Sequence, residues 1–153
     1  MNKILLIVAL AVAAYFALLP APGTPGSPEV PASTGEVAAA GERADAALEQ
    51  AFANRLSSQQ LVGQGVVVKL LPDDNNGSRH QRFIVKLNSG RTLLIAHNID
   101  LAPRIDTLRT GDTVAFYGEY EWNQKGGVMH WTHRDPQGRH PGGWIKHNGQ
   151  TYQ

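Results

Sequence analysis

Cysteine is absent from the 153-residue chain. This excludes a disulfide-stapled mini-domain, a Cys-ligated zinc or iron–sulfur centre, a thiol nucleophile and a lipid-modified cysteine anchor. Neither sign of charge dominates. Lys+Arg number 14 and Asp+Glu 13, for a formal net charge of +1, which marks neither a strongly basic nucleic-acid binder nor an acidic solubilising tail. There is no Gly-x-Ser-x-Gly elbow, P-loop, HExxH or Rossmann glycine pattern, and no internal repeat. Glycine (16) and proline (9) are plentiful, so the chain is rich in turns and breaks.

The N-terminus reads as an export signal or anchor, residues 1–19. Lys3 precedes sixteen uninterrupted apolar residues, Ile4 to Leu19, and then Pro20. A positive residue before an apolar run is the layout of a secretory signal or membrane anchor. At ~1.5 Å per residue the run spans roughly 24 Å, slightly short of a hydrocarbon core of about 30 Å. Pro20 and Pro22 suit a cleavage site poorly, which favours an uncleaved anchor. The absence of Lys and Arg between Lys3 and Arg43 places the N-terminus inside and the remainder outside. The expected location is the inner membrane through residues 4–19 with a periplasmic domain, or the periplasm itself if the segment is cleaved. Residues 20–35 hold five of the nine prolines and read as an extended spacer. Residues 36–58 read as an amphipathic helix with Ala44, Leu48, Phe52 and Leu56 on one stripe.

From Leu61 the hydrophobic period changes to two. Val66, Val68 and Leu70 alternate in a first strand, followed by a turn cluster from Pro72 to Ser78. The acidic stretch Asp73–Gly77 lacks the alternation and the bidentate Glu of a calcium loop, so it reads as that turn. Phe83, Val85 and Leu87 alternate in a second strand, and Asn88–Arg91 leads to a third at Thr92–His97. Residues 98–109 break the alternation and predict a short helix. Val114, Phe116, Gly118, Tyr120 and Trp122 form one face of a fourth strand, and Val128–His133 a fifth. Val66, Val68, Phe83, Val85, Val114 and Phe116 are expected in the core. Three strands, a helical connection and a hairpin is the order of the oligonucleotide/oligosaccharide-binding (OB) barrel. The expectation is therefore a mainly β chain with a small OB-like five-stranded barrel over residues 61–153. It ends in a C-terminal hairpin at Asn148-Gly149 that sets Ile145 opposite Tyr152.

His97-Asn-Ile-Asp100, Gly118-Glu-Tyr-Glu-Trp122, the Gly126–His133 segment, Asp135-Pro136 and His140-Pro-Gly-Gly-Trp-Ile145 resemble a family of short bacterial exported or anchored proteins of unknown function. The resemblance implies a bacterial, exported domain. It supplies no activity and no catalytic residue.

All six histidines follow residue 79, and four lie in the last 24 residues. His133, Asp135 and His140 are candidate zinc ligands if the Asp-Pro loop brings them together, with His80 or His97 reaching in. His130 and His133, three apart, face opposite ways on an unbroken strand and chelate only if the strand ends between them. His130, His133, Asp135 and His140 are also the residue types of a His-dependent hydrolase acting on phosphodiesters, with an Arg to stabilise negative charge. Hydrogen-bonded structural imidazoles are the plainer alternative. A third reading is ligand binding. From Leu61 on, Lys+Arg number 11 and Asp+Glu 8, so the domain carries +3. Arg79, Arg82, Lys86 and Arg134 would contact phosphates, and Trp122 or Trp131 would offer a stacking surface, as on OB barrels. The partner would be single-stranded nucleic acid, another extended anionic polymer or an envelope protein. A non-enzymatic binding module leads, the hydrolase is the alternative, and no cofactor other than zinc is indicated.

Overall fold

The computed structural model of the protein describes residues 34–153. The apolar run at 4–19, expected as an N-terminal helix, and nearly all of the proline-rich spacer lie outside the described residues. No described helix is long and apolar enough to cross a membrane.

Strand β1, Gln59–Asp74, organises the domain. Its first half, Gln59–Val66, pairs antiparallel with β4 (Thr113–Glu121), and its second half, Val66–Asp74, pairs with β2 (His80–Lys86). β2 continues to β3 (Thr92–Asn98), β3 runs parallel to β5 (Val128–His130), and β5 pairs with β4. The order β1-β2-β3-β5-β4, with β4 returning to β1, closes a five-stranded ring. This is the OB-type arrangement expected from the strand order. A terminal hairpin, β6 (Trp144–His147) and β7 (Gln150–Tyr152), adds to β4. Asn148 and Gly149 both take positive φ, and Ile145 faces Tyr152, as the Asn-Gly pair predicts.

The ring is filled by Val67, Phe83, Val85, Leu93, Ile95, Val114, Phe116, Tyr120, Met129 and Ile145, all almost fully buried. Two expected core residues are not among them. Val66 and Val68 are 42% and 39% exposed, while Val67 points inward. Three consecutive valines carry no parity signal. The residues that mark the inner face ahead of them, Gly63 and Gly65, have no side chain to reveal it. A Cβ at Gly63 would come within 2.6 Å of the Phe116 ring and 2.7 Å of Leu48, so the glycine admits those two groups to the barrel floor. A register shift between Val67 and Lys69 then sets Val68 out of the ladder.

Helix α1, Thr34–Ala53, lays Leu48 and Ala51 against the ring. It ends five residues before the expected boundary. The Asn54 side chain returns to the Gln50 carbonyl and Arg55 takes φ 55°, so Leu56 leaves the stripe and is exposed. Arg91 clamps the helix to the sheet by a two-pronged pair with Glu49 (2.7 and 2.6 Å), its guanidinium 3.7 Å from the Phe52 ring centroid. The Arg91 contact holds the Glu49 carboxyl below its ordinary range.

The short helix expected within residues 98–109 is replaced by turns. Asn98 bonds the Asp100 N–H, Pro103 has no N–H to offer, and the buried Gln81 side chain bonds both the N–H and the carbonyl of Ile105. With its backbone groups satisfied this way, the segment has nothing to gain from a helix. β5 also stops three residues early, because Trp131 adopts φ 53°.

Candidate functional site

The register fixes what the outer face of the ring displays. Arg82 on β2 is opposite Ala96 on β3. Ile95 is level with Met129 on β5, so the next rung sets Ala96 beside His130. His130 in turn faces Glu119 on β4. All four residues alternate outward and are half-buried. The adjacent rung carries Ile84, Leu94, Val128 and Glu121.

Ala96 is the small member of its row, and a depression opens over it. A cleft of about 320 Å³ is lined by Asp74, His80, Arg82, Ala96, Glu121, Val128 and His130. A second, of about 330 Å³, shares His80 and His130 and adds Asn98, Leu101, Trp131 and His133. A third, of about 390 Å³, shares Leu101 and Trp131 and continues along Asp135, Arg139 and His140. The three adjoin through these shared walls and form an extended groove.

One wall of the groove is an arm, residues 131–143. Gly143 N–H bonds the His133 carbonyl at 2.9 Å and closes it. A Cβ at Gly143 would collide with the carbonyl oxygens of Trp131 and Tyr117, so only glycine lets the arm lie against β4. The Asp135 carboxylate accepts the N–H groups of Gln137 (2.9 Å), Arg139 (2.7 Å) and His140 (2.9 Å). These bonds, that of Gln137 foremost, hold its carboxyl below the ordinary range. Positive φ at Trp131 swings the indole over His140, with the ring centroids 3.9 Å apart and the planes within 12°.

His140 is held at both nitrogens. Nδ1 faces the Pro141 carbonyl at 2.8 Å and Nε2 faces Glu119 Oε2 at 2.6 Å. Glu119 Oε1 lies 3.5 Å from His130 Nε2. That is beyond ordinary hydrogen-bond range, and the buried His130 Nε2 has no hydrogen-bond partner. Burial depresses the His130 pKa, against the opposing pull of the Glu119 and Glu121 charges. Glu121 accepts the Ser58 N–H (3.1 Å) and hydroxyl (3.0 Å). The Ser57 hydroxyl, ahead of Ser58, keeps its carboxyl below the usual range.

His97 has a different role. It is completely buried, Nε2–H donates to the Pro103 carbonyl at 3.2 Å, and Nδ1 accepts from the Thr132 hydroxyl at 2.8 Å. Burial lowers its pKa to about 4, so the ring is neutral and ties the end of β3 to the base of the arm. His147 is likewise buried and bonds Asp112 at 2.8 Å.

The residues singled out in the sequence divide into two groups. Arg82, Trp131, His130, His133, Asp135 and His140 all border the groove. Arg82 donates to the Pro72 carbonyl (3.1 and 3.0 Å) and approaches Asp74 at 3.8 Å. His133 and Asp135 do not share a ligand position with His140. The His133 ring donates from Nδ1 to the Arg134 carbonyl and is 3% exposed, while Asp135 is spent on three backbone N–H groups. Arg79 is paired with Asp100 at 2.7 Å. Lys86 ends β2 in solvent, and Arg134 is exposed on the arm. Trp122 packs on the core beside Phe52 and under Arg55, and it lines none of the three clefts. Sequence reasoning passed over Glu119 and Glu121. The two glutamates were visible as outward positions of the fourth strand, but the register that brings His130 beside them was not.

These features define an OB-type barrel whose outer sheet face and C-terminal arm enclose a groove rich in imidazoles and carboxylates. Residues 31–153 match the model of the family described as "Protein of unknown function (DUF3465)", and the chain belongs to that family. No curated protein matches it.

Proposed function

We propose that the barrel is a binding module for an extended anionic ligand that lies along the groove. The observation that carries this reading is the run of three adjoining clefts across the outer face of β2, β3 and β5 and along the arm, the face OB barrels use for chain-like ligands. Arg82, His80 and His130 supply cationic or hydrogen-bonding contacts at one end. Arg139 does so at the other, and the partly exposed Trp131 offers a flat apolar surface between them. The apolar run at 4–19, with Lys3 before it and no Lys or Arg until Arg43, supports tethering at the inner membrane with the barrel on the periplasmic side.

Salt dependence tests the reading. With single-stranded DNA as the probe polyanion, Arg82→Ala should weaken binding and flatten the slope of log affinity against log salt by about 0.7. Trp131→Ala should weaken binding by ~1–3 kcal/mol with little change in slope. Unchanged affinity in both variants would remove the groove from the interface.

A His-dependent phosphodiesterase is the second reading. Its support is one feature, the unpartnered His130 Nε2 beside Glu119 in the groove wall, an imidazole positioned to take a proton. Cleavage of RNA or single-stranded DNA that disappears in His130→Gln would establish it over the first reading.

A further inference from the structure

The geometry points to a binding site for a divalent first-row transition-metal ion formed by Glu119, Glu121 and His130. Each offers one donor atom, and the three atoms lie within 4.8 Å of one another. Glu119 and Glu121 are two apart on β4, so both carboxylates leave the same face of the sheet. The pairing of Glu119 with His130 delivers an imidazole to them from β5. These donors sit on paired strands, whose positions are fixed by the ladder.

The separation between His130 Nε2 and Glu119 Oε1 is informative. At 3.5 Å it is too long for a hydrogen bond. Two atoms each about 2.0–2.1 Å from a tetrahedral zinc ion lie about 3.4 Å apart. The gap therefore suits a shared ion, and it accounts for an imidazole nitrogen that is shut off from solvent without a hydrogen-bond partner. The surroundings hold the donors in place, as outer-shell groups of metal sites do. His140 fixes Glu119 through its other oxygen at 2.6 Å, and Ser58 fixes Glu121 at 3.0 and 3.1 Å. One nitrogen and two carboxylate donors favour zinc or manganese over magnesium or calcium, which prefer oxygen alone. A fourth position would face the groove. The site is distinct from His133, Asp135 and His140, where the Asp135 carboxylate is occupied by backbone N–H groups. It stands whether or not the groove takes a polyanion.

The test is calorimetric titration of the metal-stripped full chain with zinc chloride. One zinc ion per chain is expected. Glu121→Gln and His130→Gln should each lower the affinity by at least about 100-fold, and Ser58→Ala by about 10-fold. Zinc should raise the unfolding midpoint of the wild type and not of the two Gln variants. A nitrogen-detected NMR titration of the wild-type histidine rings covers the case in which a variant fails to fold. Zinc should shift the Nε2 resonance of His130 first and leave His147 unmoved. No binding by the wild type, undiminished binding in both Gln variants, or a first shift at His133 would overturn the assignment.

Discussion

Lowering the pH should destabilise the fold before its carboxylates protonate, and His97 should account for most of the loss. The ring is fully buried between Pro103 and Thr132, and its pKa falls from 6.5 to about 4. Burial is the main cause. Nearby His133 and His80 would add repulsion, while the hydrogen bond to Pro103 acts the other way. Below pH 6.5 the unfolded chain takes up a proton at this position, and the folded chain does not until about pH 4. Stability is therefore intact above 6.5, falls through this window, and levels off below it with respect to this group. A gap of this size corresponds to about 3 kcal/mol at the low end, a large share of the ~5–15 kcal/mol typical of a whole domain. His130, whose pKa is also depressed, adds in the same direction. Urea unfolding followed by tryptophan fluorescence at intervals from about pH 7.5 to about pH 4.5 measures the effect. His97→Gln should start from lower stability, having lost fitted hydrogen bonds, but should retain only the shallower slope left by His130. Parallel pH profiles for the variant and the wild type would refute the reasoning.

Val67→Ala should cost about 2 kcal/mol, whereas Val68→Ala, a few ångströms away and half out of the ladder, should change stability by less than about 0.5 kcal/mol; paired denaturant melts check this. Asp135→Ala should speed amide hydrogen exchange at Gln137, Arg139 and His140 while leaving exchange in β1–β4 unchanged. Equal acceleration throughout would mean the arm is not separately fastened. Protease added to spheroplasts should degrade the barrel if it is exported and tethered by residues 4–19; complete protection would reverse the orientation.

The strands were legible wherever a large apolar side chain alternated with a polar one. Phe83, Val85 and Leu87, and again Val114 and Phe116, show their inward parity in the sequence and are buried. The inward parity of β1 was not legible, because glycines mark its inner face and a valine triplet hides the alternation. The segment after Asn98 misled for another reason. Its backbone partners are side chains distant in sequence, above all Gln81, and local propensity carries no trace of them. The site was half legible. Crowding of His130, Trp131, His133 and His140 near the C-terminus drew attention to the arm. But Asp135 proved to be the fastener of that arm, and the partners of His130 came from β4, ten or so residues earlier in the chain. They meet it through a strand pairing that no local spacing encodes. Trp122 packs beside Phe52 and away from the groove, and an aromatic at the end of an alternating strand looks the same in sequence whether it faces a ligand or a helix.

Amide chemical-shift mapping of the 15N-labelled protein with an unlabelled single-stranded oligonucleotide at low salt addresses the groove most directly. Saturable shifts are expected at His80, Arg82, His130, Trp131 and Arg139, with Lys86 and Trp122 unmoved. Shifts centred on Lys86 and Arg79 instead, or none at ~100 μM protein, a concentration within the range typical of non-specific nucleic-acid binding, would contradict that expectation.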